Sequence, residues 1–335
     1  MAKPVILFDP HPRTEEMVYT KDCAAALAEL GEVEAHFGSR MPDERVEALL
    51  PHVHLVIGQT DMDRDRLDRA VNLKGIINVE ANWRPNVDYA HAQSLGIPVL
   101  SAAPCMAPAV AEYCLAQAIN LLRGFTLGDW KFRTGQEAYG VSGNRAARSL
   151  FGAKPVLIGY GNLGRALVPL LRPFCDDIAV HDPWLSDGYL TAQGVQPVDL
   201  DTALISADVL FILAGGTSEN EGFLDADKLA LIPDDAAVVL ASRAEVVDFG
   251  ALLTHAGRLR LAVDVFPEEP VPADDPIRQA PPGVLLTAHL AGGLHASYAR
   301  IREAMVNDAR QVLQGKPPLQ LQRAEPRLAA ISNSR

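Results

Sequence analysis

Few features of this sequence point outside the reducing interior of a cell. Only four cysteines occur, Cys23, Cys105, Cys114 and Cys175. They are scattered and lack the paired spacings that hold a metal ion, so no metal centre is expected and the thiols read as reduced, partly buried side chains. No long basic run is present, and 42 acidic against 30 basic residues leave a net charge of −12. Such a surface repels nucleic acid and anionic membranes, and neither is expected as a partner. No uninterrupted apolar segment reaches the roughly 18–20 residues of a membrane span. Met1-Ala2-Lys3-Pro4 runs straight into the strand-like Val5–Phe8, without the length or cleavage pattern of a signal peptide. These absences together suggest a cytoplasmic protein. No internal repeat is visible beyond a general likeness between two halves.

With 335 residues, 48% of them hydrophobic, the chain is long enough for about two domains with substantial cores. From Val5 to Leu100, short apolar runs alternate with helix-like segments, among them Lys21–Leu30, Asp43–Leu50, Asp63–Val71 and Val87–Leu95. This is the pattern of a parallel α/β sheet. It runs out in the Pro/Ala-rich stretch Ser101–Pro108, read as a crossing between domains. Ala109–Arg123 reads as a long helix. Phe125–Arg148 reads as an irregular arm, either an oligomer contact or a simple surface loop. Strand and helix patterns then alternate again from Pro155 to Thr287, enough for a doubly wound sheet of six or more strands. Leu294–Leu313 is a strong amphipathic helix, and the tail after Gly315 is expected to be irregular. The expected domains are therefore 1–103 with 290–335, and 104–289 inserted between them, with a hinged cleft where small substrates would bind.

The sharpest local signal is Pro155–Gly164, PVLIGYGNLG. An apolar strand ends in a glycine turn, and a helix pattern follows, the context that a dinucleotide-binding fingerprint requires. Gly159 permits the turn, Gly161 lets the backbone approach a pyrophosphate, and Gly164 lets helix pack on strand. Tyr160, Gly161, Asn162 and Leu163 are thereby expected at the cofactor. Asp182 closes the next strand, where a carboxylate can accept the adenosine ribose hydroxyls. Pro183 and Trp184 follow it, with no cation for a 2′-phosphate, so the expected cofactor is NAD(H) and not NADP(H).

Three further residues sit at strand ends with chemistry suited to a nicotinamide enzyme. Arg243 follows the run Ala236–Ala241, and its planar fork suits a carboxylate. Glu269 follows Asp264-Val265-Phe266, and His289 closes Leu285-Leu286-Thr287-Ala288. Histidine titrates in the range for general acid/base work, and a neighbouring carboxylate favours its protonated form.

These segments, with Asn86-Val87-Asp88, Gly96-Ile97-Pro98-Val99, Val110-Ala111-Glu112, HDPW, DVFPEEP and LTAHLAGG, resemble the D-isomer-specific 2-hydroxyacid dehydrogenases over most of the chain. The resemblance implies two Rossmann-like domains, the NAD-binding one inserted in a discontinuous flavodoxin-like substrate domain. It implies NAD(H)-dependent interconversion of a 2-oxo acid and a D-2-hydroxy acid, with Arg243 on the substrate carboxylate, His289 as acid/base and Glu269 as its partner. Asp264 would meet the nicotinamide carboxamide, Thr217 and Ser242 would line the cofactor, and the protein would be a homodimer through its NAD-binding domain. The alternative within the resemblance is a non-catalytic NAD(H)-sensing interaction protein of corepressor type. Formate dehydrogenase, of the same superfamily, is disfavoured because it pairs its histidine with glutamine. This chain departs from the family in its substrate loop, where Glu80-Ala81-Asn82-Trp83-Arg84-Pro85 replaces a glycine-rich segment, so Asn82, Trp83 and Arg84 are expected to shape an altered pocket. It also departs at Leu213–Thr217, which lacks the usual His and Pro, and at Ala244 and Ala288.

Overall fold

Short runs rich in Val, Ile and Leu, too short for helices and apolar on both sides, can only be buried as strands covered on two faces. The computed structural model, which describes residues 3–332, builds two sheets from them. The first takes β1 (Val5–Asp9), β2 (Glu32–Ala35), β3 (Val53–Gly58), β4 (Gly75–Asn78) and β5 (Val99–Ser101). The second takes β6 (Pro155–Ile158), β7 (Ala179–His181), β8 (Gln196–Pro197), β9 (Val209–Ile212), β10 (Ala237–Leu240), β11 (Arg260–Val263) and β12 (Leu285–Leu286). A last strand, β13 (Gln322–Arg323), returns to the first sheet.

The chain divides into two compact units, one built up to Met106 and from Gly293 onward, the other from Ala107–Gly292. In the first the order is β13-β5-β4-β3-β1-β2. Its five parallel strands follow the flavodoxin-like order, and β13 pairs antiparallel with β5. In the second the order is β12-β11-β10-β9-β6-β7-β8, all parallel. That is the Rossmann order, with its switch point between β6 and β9. Each sheet carries an apolar layer on each face. Aspartates start many of the crossover helices. Asp63, Asp88, Asp199, Asp225 and Asp248 each accept a backbone amide of the first helical turn, which satisfies a donor the helix cannot.

Four expectations need correction. The Pro/Ala-rich stretch is no open crossing. It begins the helix Ala103–Arg123, which contains Pro108. Alanine favours the helix, and Pro104 lies in its first turn, whose amides have no helical partner, whereas Pro108, the sixth residue, forgoes one helical hydrogen bond. This helix is by length and composition apolar enough to cross a membrane. However, 56% of that window is buried within the fold, with Cys114, Ala118 and Leu122 in the core, as for a core helix. The arm is more regular than expected, with helices at Phe125–Arg133 and Gly140–Gly143. Between Asp182 and β9 the structure adds a helix at Asp187–Ala192, strand β8 and a helix at Leu200–Ser206. The tail is ordered as well. Beyond β13 it forms the helix Pro326–Ile331, and Leu321 and Ala329 enter the core.

What fixes the tail is a buried carboxylate. Asp308, in the helix His295–Leu313, is wholly buried. It accepts the amides of Leu319 at 2.7 Å, Gln320 at 3.1 Å and Leu321 at 2.7 Å. Sheet pairing then continues through the Ala324 amide, which donates to the Val99 carbonyl at 2.8 Å. Removing the acceptor strands these donors, each at about 1–3 kcal/mol. Asp308→Ala is therefore expected to lower unfolding stability by at least about 3 kcal/mol, read as a fall in the urea midpoint. Hydrogen exchange at Gln322–Ala324 should accelerate before the rest of the unit opens.

Candidate active site

The glycine turn after β6 separates structural from functional demands on glycine. Gly159 has φ +98°, and an added Cβ would stand 2.8 Å from the Ala214 amide nitrogen, so the backbone crossing alone requires glycine there. A Cβ on Gly164 would stand 2.8 Å from the Gly159 carbonyl oxygen, so helix–strand packing requires that one. Gly161 is different: a Cβ there meets nothing within 4 Å. The protein's own packing does not call for glycine at 161, and the open space fits a pyrophosphate.

Gly161 is also the N-cap of the helix Asn162–Leu171, and no side chain caps that end. First-turn amides and the positive end of the helix dipole are thus available to phosphate oxygens. Tyr160 is buried, and its amide donates to Asp182 Oδ2 at 2.7 Å. Oδ1 accepts from the Trp184 amide at 2.9 Å. The turn and the acid are therefore one rigid element, with carboxylate lone pairs left for ribose hydroxyls and a negative charge that repels a 2′-phosphate. The residues present fit NAD. Leu163 is partly buried against the core.

The strand ends of the same sheet carry the remaining candidates. Ser242 is buried, and its hydroxyl donates to the Ile212 carbonyl at 3.1 Å, which ties the end of β10 to the end of β9. Arg243 follows in extended conformation, half-buried. Its Nη1 donates to the Ser242 carbonyl at 2.6 Å, which orients the fork. Thr217 is half-buried, and its amide donates to Asn220 Oδ1 at 2.8 Å.

His289 and Glu269 meet directly, with Nδ1 and Oε2 2.7 Å apart. Glu269 Oε1 accepts the Phe266 amide at 2.9 Å, so the carboxylate is held from behind. His289 has φ +52°, a left-handed conformation that costs a non-glycine residue roughly 1–2 kcal/mol. Asp264, expected at the cofactor, is wholly buried. Its oxygens accept Thr287 Oγ1 at 2.6 Å and the amides of Leu290 at 2.9 Å and Ala291 at 3.0 Å. The structure therefore shows it tying the His289 turn together.

Asn82, Trp83 and Arg84 lie in the first unit, on the segment after β4, all half-buried. Trp83 stands edge-on to Tyr89, ring centres 5.9 Å apart, and the Tyr89 hydroxyl donates to the Arg84 carbonyl at 2.6 Å. The segment is pinned at its start by a pair that the sequence did not suggest. Arg13 binds Glu80 through Nε at 2.9 Å and Nη2 at 2.6 Å, and its Nη1 reaches the Tyr298 hydroxyl at 2.9 Å. Bulk and ion pairing replace glycine in shaping this loop. No local pattern links Arg13 to Glu80, because the pair joins loops after β1 and β4.

Comparison with known proteins places this geometry. Residues 115–291 match the family model described as D-isomer specific 2-hydroxyacid dehydrogenase, NAD binding domain. A D-3-phosphoglycerate dehydrogenase of Archaeoglobus fulgidus is 26% identical over 270 residues, 78% of this chain, which spans only 50% of that protein. A solved phosphoglycerate oxidoreductase from Rhizobium etli is 33% identical with a TM-score of 0.85, covering 96% of this chain and 99% of its own. D-mandelate dehydrogenase of Rhodotorula graminis shares the fold at 18% identity, with a TM-score of 0.76 over 96% of this chain and 97% of its own.

The two kinds of glycine are separable by experiment. Gly161→Ala should leave stability within about 1 kcal/mol while weakening NADH binding at least about tenfold, a loss of about 1.4 kcal/mol, measured by fluorescence titration. Gly159→Ala should instead lower the melting temperature.

Proposed function

The chain belongs to the D-isomer specific 2-hydroxyacid dehydrogenase family, and from that premise we propose that it interconverts a 2-oxo acid and a D-2-hydroxy acid. The observation that carries this reading is the bond between His289 Nδ1 and Glu269 Oε2. NAD(H), when bound, supplies or accepts the hydride. Glu269 takes up Nδ1 and so leaves Nε2 as the nitrogen that exchanges a proton with the substrate oxygen. Arg243 holds the substrate carboxylate in its fork and so orients the adjacent carbonyl. In this reading Asn82 and Trp83 shape the substrate pocket, and Arg84 offers a cation to a second acidic group or to a sugar-acid hydroxyl. A non-catalytic NAD-sensing protein of corepressor type has no use for a histidine bonded to a carboxylate, and that pair favours the enzyme.

The same reading includes a cytoplasmic homodimer formed through the NAD-binding unit. All four cysteines are buried and free, which suits a reducing compartment. The arm displays Phe125, Phe132, Tyr139 and Val141, with Phe151 just beyond it, each more than half exposed. That is more apolar surface than a lone arm ordinarily leaves in water.

The test is NADH oxidation with a panel of 2-oxo acids: glyoxylate, hydroxypyruvate, phenylpyruvate and sugar-derived acids. Turnover of at least one is expected, and none, with NADH bound, contradicts the proposal. His289→Ala should lower kcat by roughly two to four decades with NADH affinity retained. For the assembly, light scattering should give twice the 36.1 kDa chain mass, and Val141→Asp should shift it to the monomer.

A further inference from the structure

The turn that carries His289 is wrapped around one buried carboxylate. Asp264 follows β11 and is 0% exposed, with no ion-pair partner among the described residues. Its carbonyl accepts the His289 amide at 2.8 Å, and its side chain accepts from Thr287, Leu290 and Ala291. Every residue from 287 to 291 except Ala288 is thus bonded to Asp264, and His289 is held at φ +52° between those bonds.

The chain of hydroxyls reaches one step further. Thr287 Oγ1 gives its only proton to Asp264, because a carboxylate oxygen accepts. Tyr113, in the helix Ala103–Arg123, places its hydroxyl 2.7 Å from that same Oγ1. With the threonine proton committed, the tyrosine must be the donor. Burial pushes the Tyr113 phenol up to about 12, so it keeps its proton through the neutral range. The relay therefore has one direction, Tyr113 to Thr287 to Asp264. Each donor strengthens the next in a low-dielectric site.

We propose that Tyr113 and Thr287 are positioning residues for the reaction, acting through Asp264 to set the left-handed turn that aims the His289 imidazole at Glu269. The proposal rests on His289 being the acid/base. A neutral hydroxyl bond contributes little to global stability, about 0.5–1.5 kcal/mol. The left-handed cost at His289 is of the same size, so loosening the relay can relax the turn without unfolding the unit. The relaxed ring moves off Glu269 and loses the bond that fixes its orientation. The titratable groups recorded against this turn are Glu269, Asp264, Tyr113 and the Cys114 thiol, which burial and the Asp264 charge both push up.

The experiment compares Thr287→Val, Thr287→Ser and Tyr113→Phe in the full-length protein with NADH and the best 2-oxo acid of the panel. Thr287→Val is expected to lower kcat at least tenfold, with NADH affinity within about threefold of wild type. Thr287→Ser should restore kcat, and Tyr113→Phe should show a smaller loss in the same direction. In parallel, NMR of histidine-labelled protein, with the His289 signal assigned through His289→Ala, follows the ring without turnover. In Thr287→Val the Nδ1 resonance should move away from its wild-type position as the bond to Glu269 is lost. Folded Thr287→Val and Tyr113→Phe proteins with the wild-type Nδ1 resonance overturn the proposal, as does a loss of kcat that Thr287→Ser fails to rescue. If no 2-oxo acid is turned over, the enzymatic reading falls, while the Nδ1 resonance still decides whether the relay positions the ring.

Discussion

The strands β6 to β12 all run one way, and the placement of the functional residues depends on that constraint. A parallel sheet brings every carboxyl end to one edge, and the loops leaving that edge are free of ladder hydrogen bonds. Gly159 and Asp182 leave β6 and β7 there. Arg243 leaves β10, Asp264 leaves β11 and His289 leaves β12. The sheet sets their spacing, and the crossovers need only cover its faces. The proposed chemistry calls for a dinucleotide, a cation and a histidine together, and the candidates for it are spread from 159 to 289 in the chain.

In each unit, buried carboxylates tie loops to the sheet. Asp264 gathers a turn, Asp308 anchors a tail, and Asp9, at the end of β1, accepts the Met41 amide and the Thr60 hydroxyl. An isolated charge is costly to bury, and these are held by hydrogen bonds from amides and hydroxyls, with Arg40 Nε also 3.7 Å from Asp9. A carboxylate has about four acceptor sites and no donor. It can therefore collect several amides from a non-repetitive segment, which a helix or strand would have satisfied internally. The Arg13–Glu80 pair does the equivalent for the loop after β4, where this chain has no glycine-rich turn.

Both sheets, the long amphipathic helix and the glycine turn were readable because each is a local pattern. Strands β1, β3, β4 and β6 are built on apolar runs, the helix His295–Leu313 has a clear stripe, and GYGNLG stands between a strand and a helix. Strand β8, between Asp182 and β9, was not readable, since two residues carry no periodicity. The tail misled for a related reason. Its composition is polar and proline-rich, and its order comes from Asp308 and the edge of β5. The prolines at 104 and 108 suggested a break, yet the first turn of a helix tolerates Pro104, and Pro108 is carried inside the helix Ala103–Arg123.

The sequence by itself determined the fold class, the NAD-binding fingerprint and the candidates Arg243, Glu269 and His289. Residue type and local period are enough for those inferences. Only the tertiary structure decided that His289 is bonded to Glu269, that Asp264 is sealed inside the turn, and that Arg13 shapes the loop after β4. It also linked Tyr113 to a threonine on a distant segment. Hydrogen bonds between residues far apart in the chain leave no periodic trace, because their partners become neighbours only when the strands align.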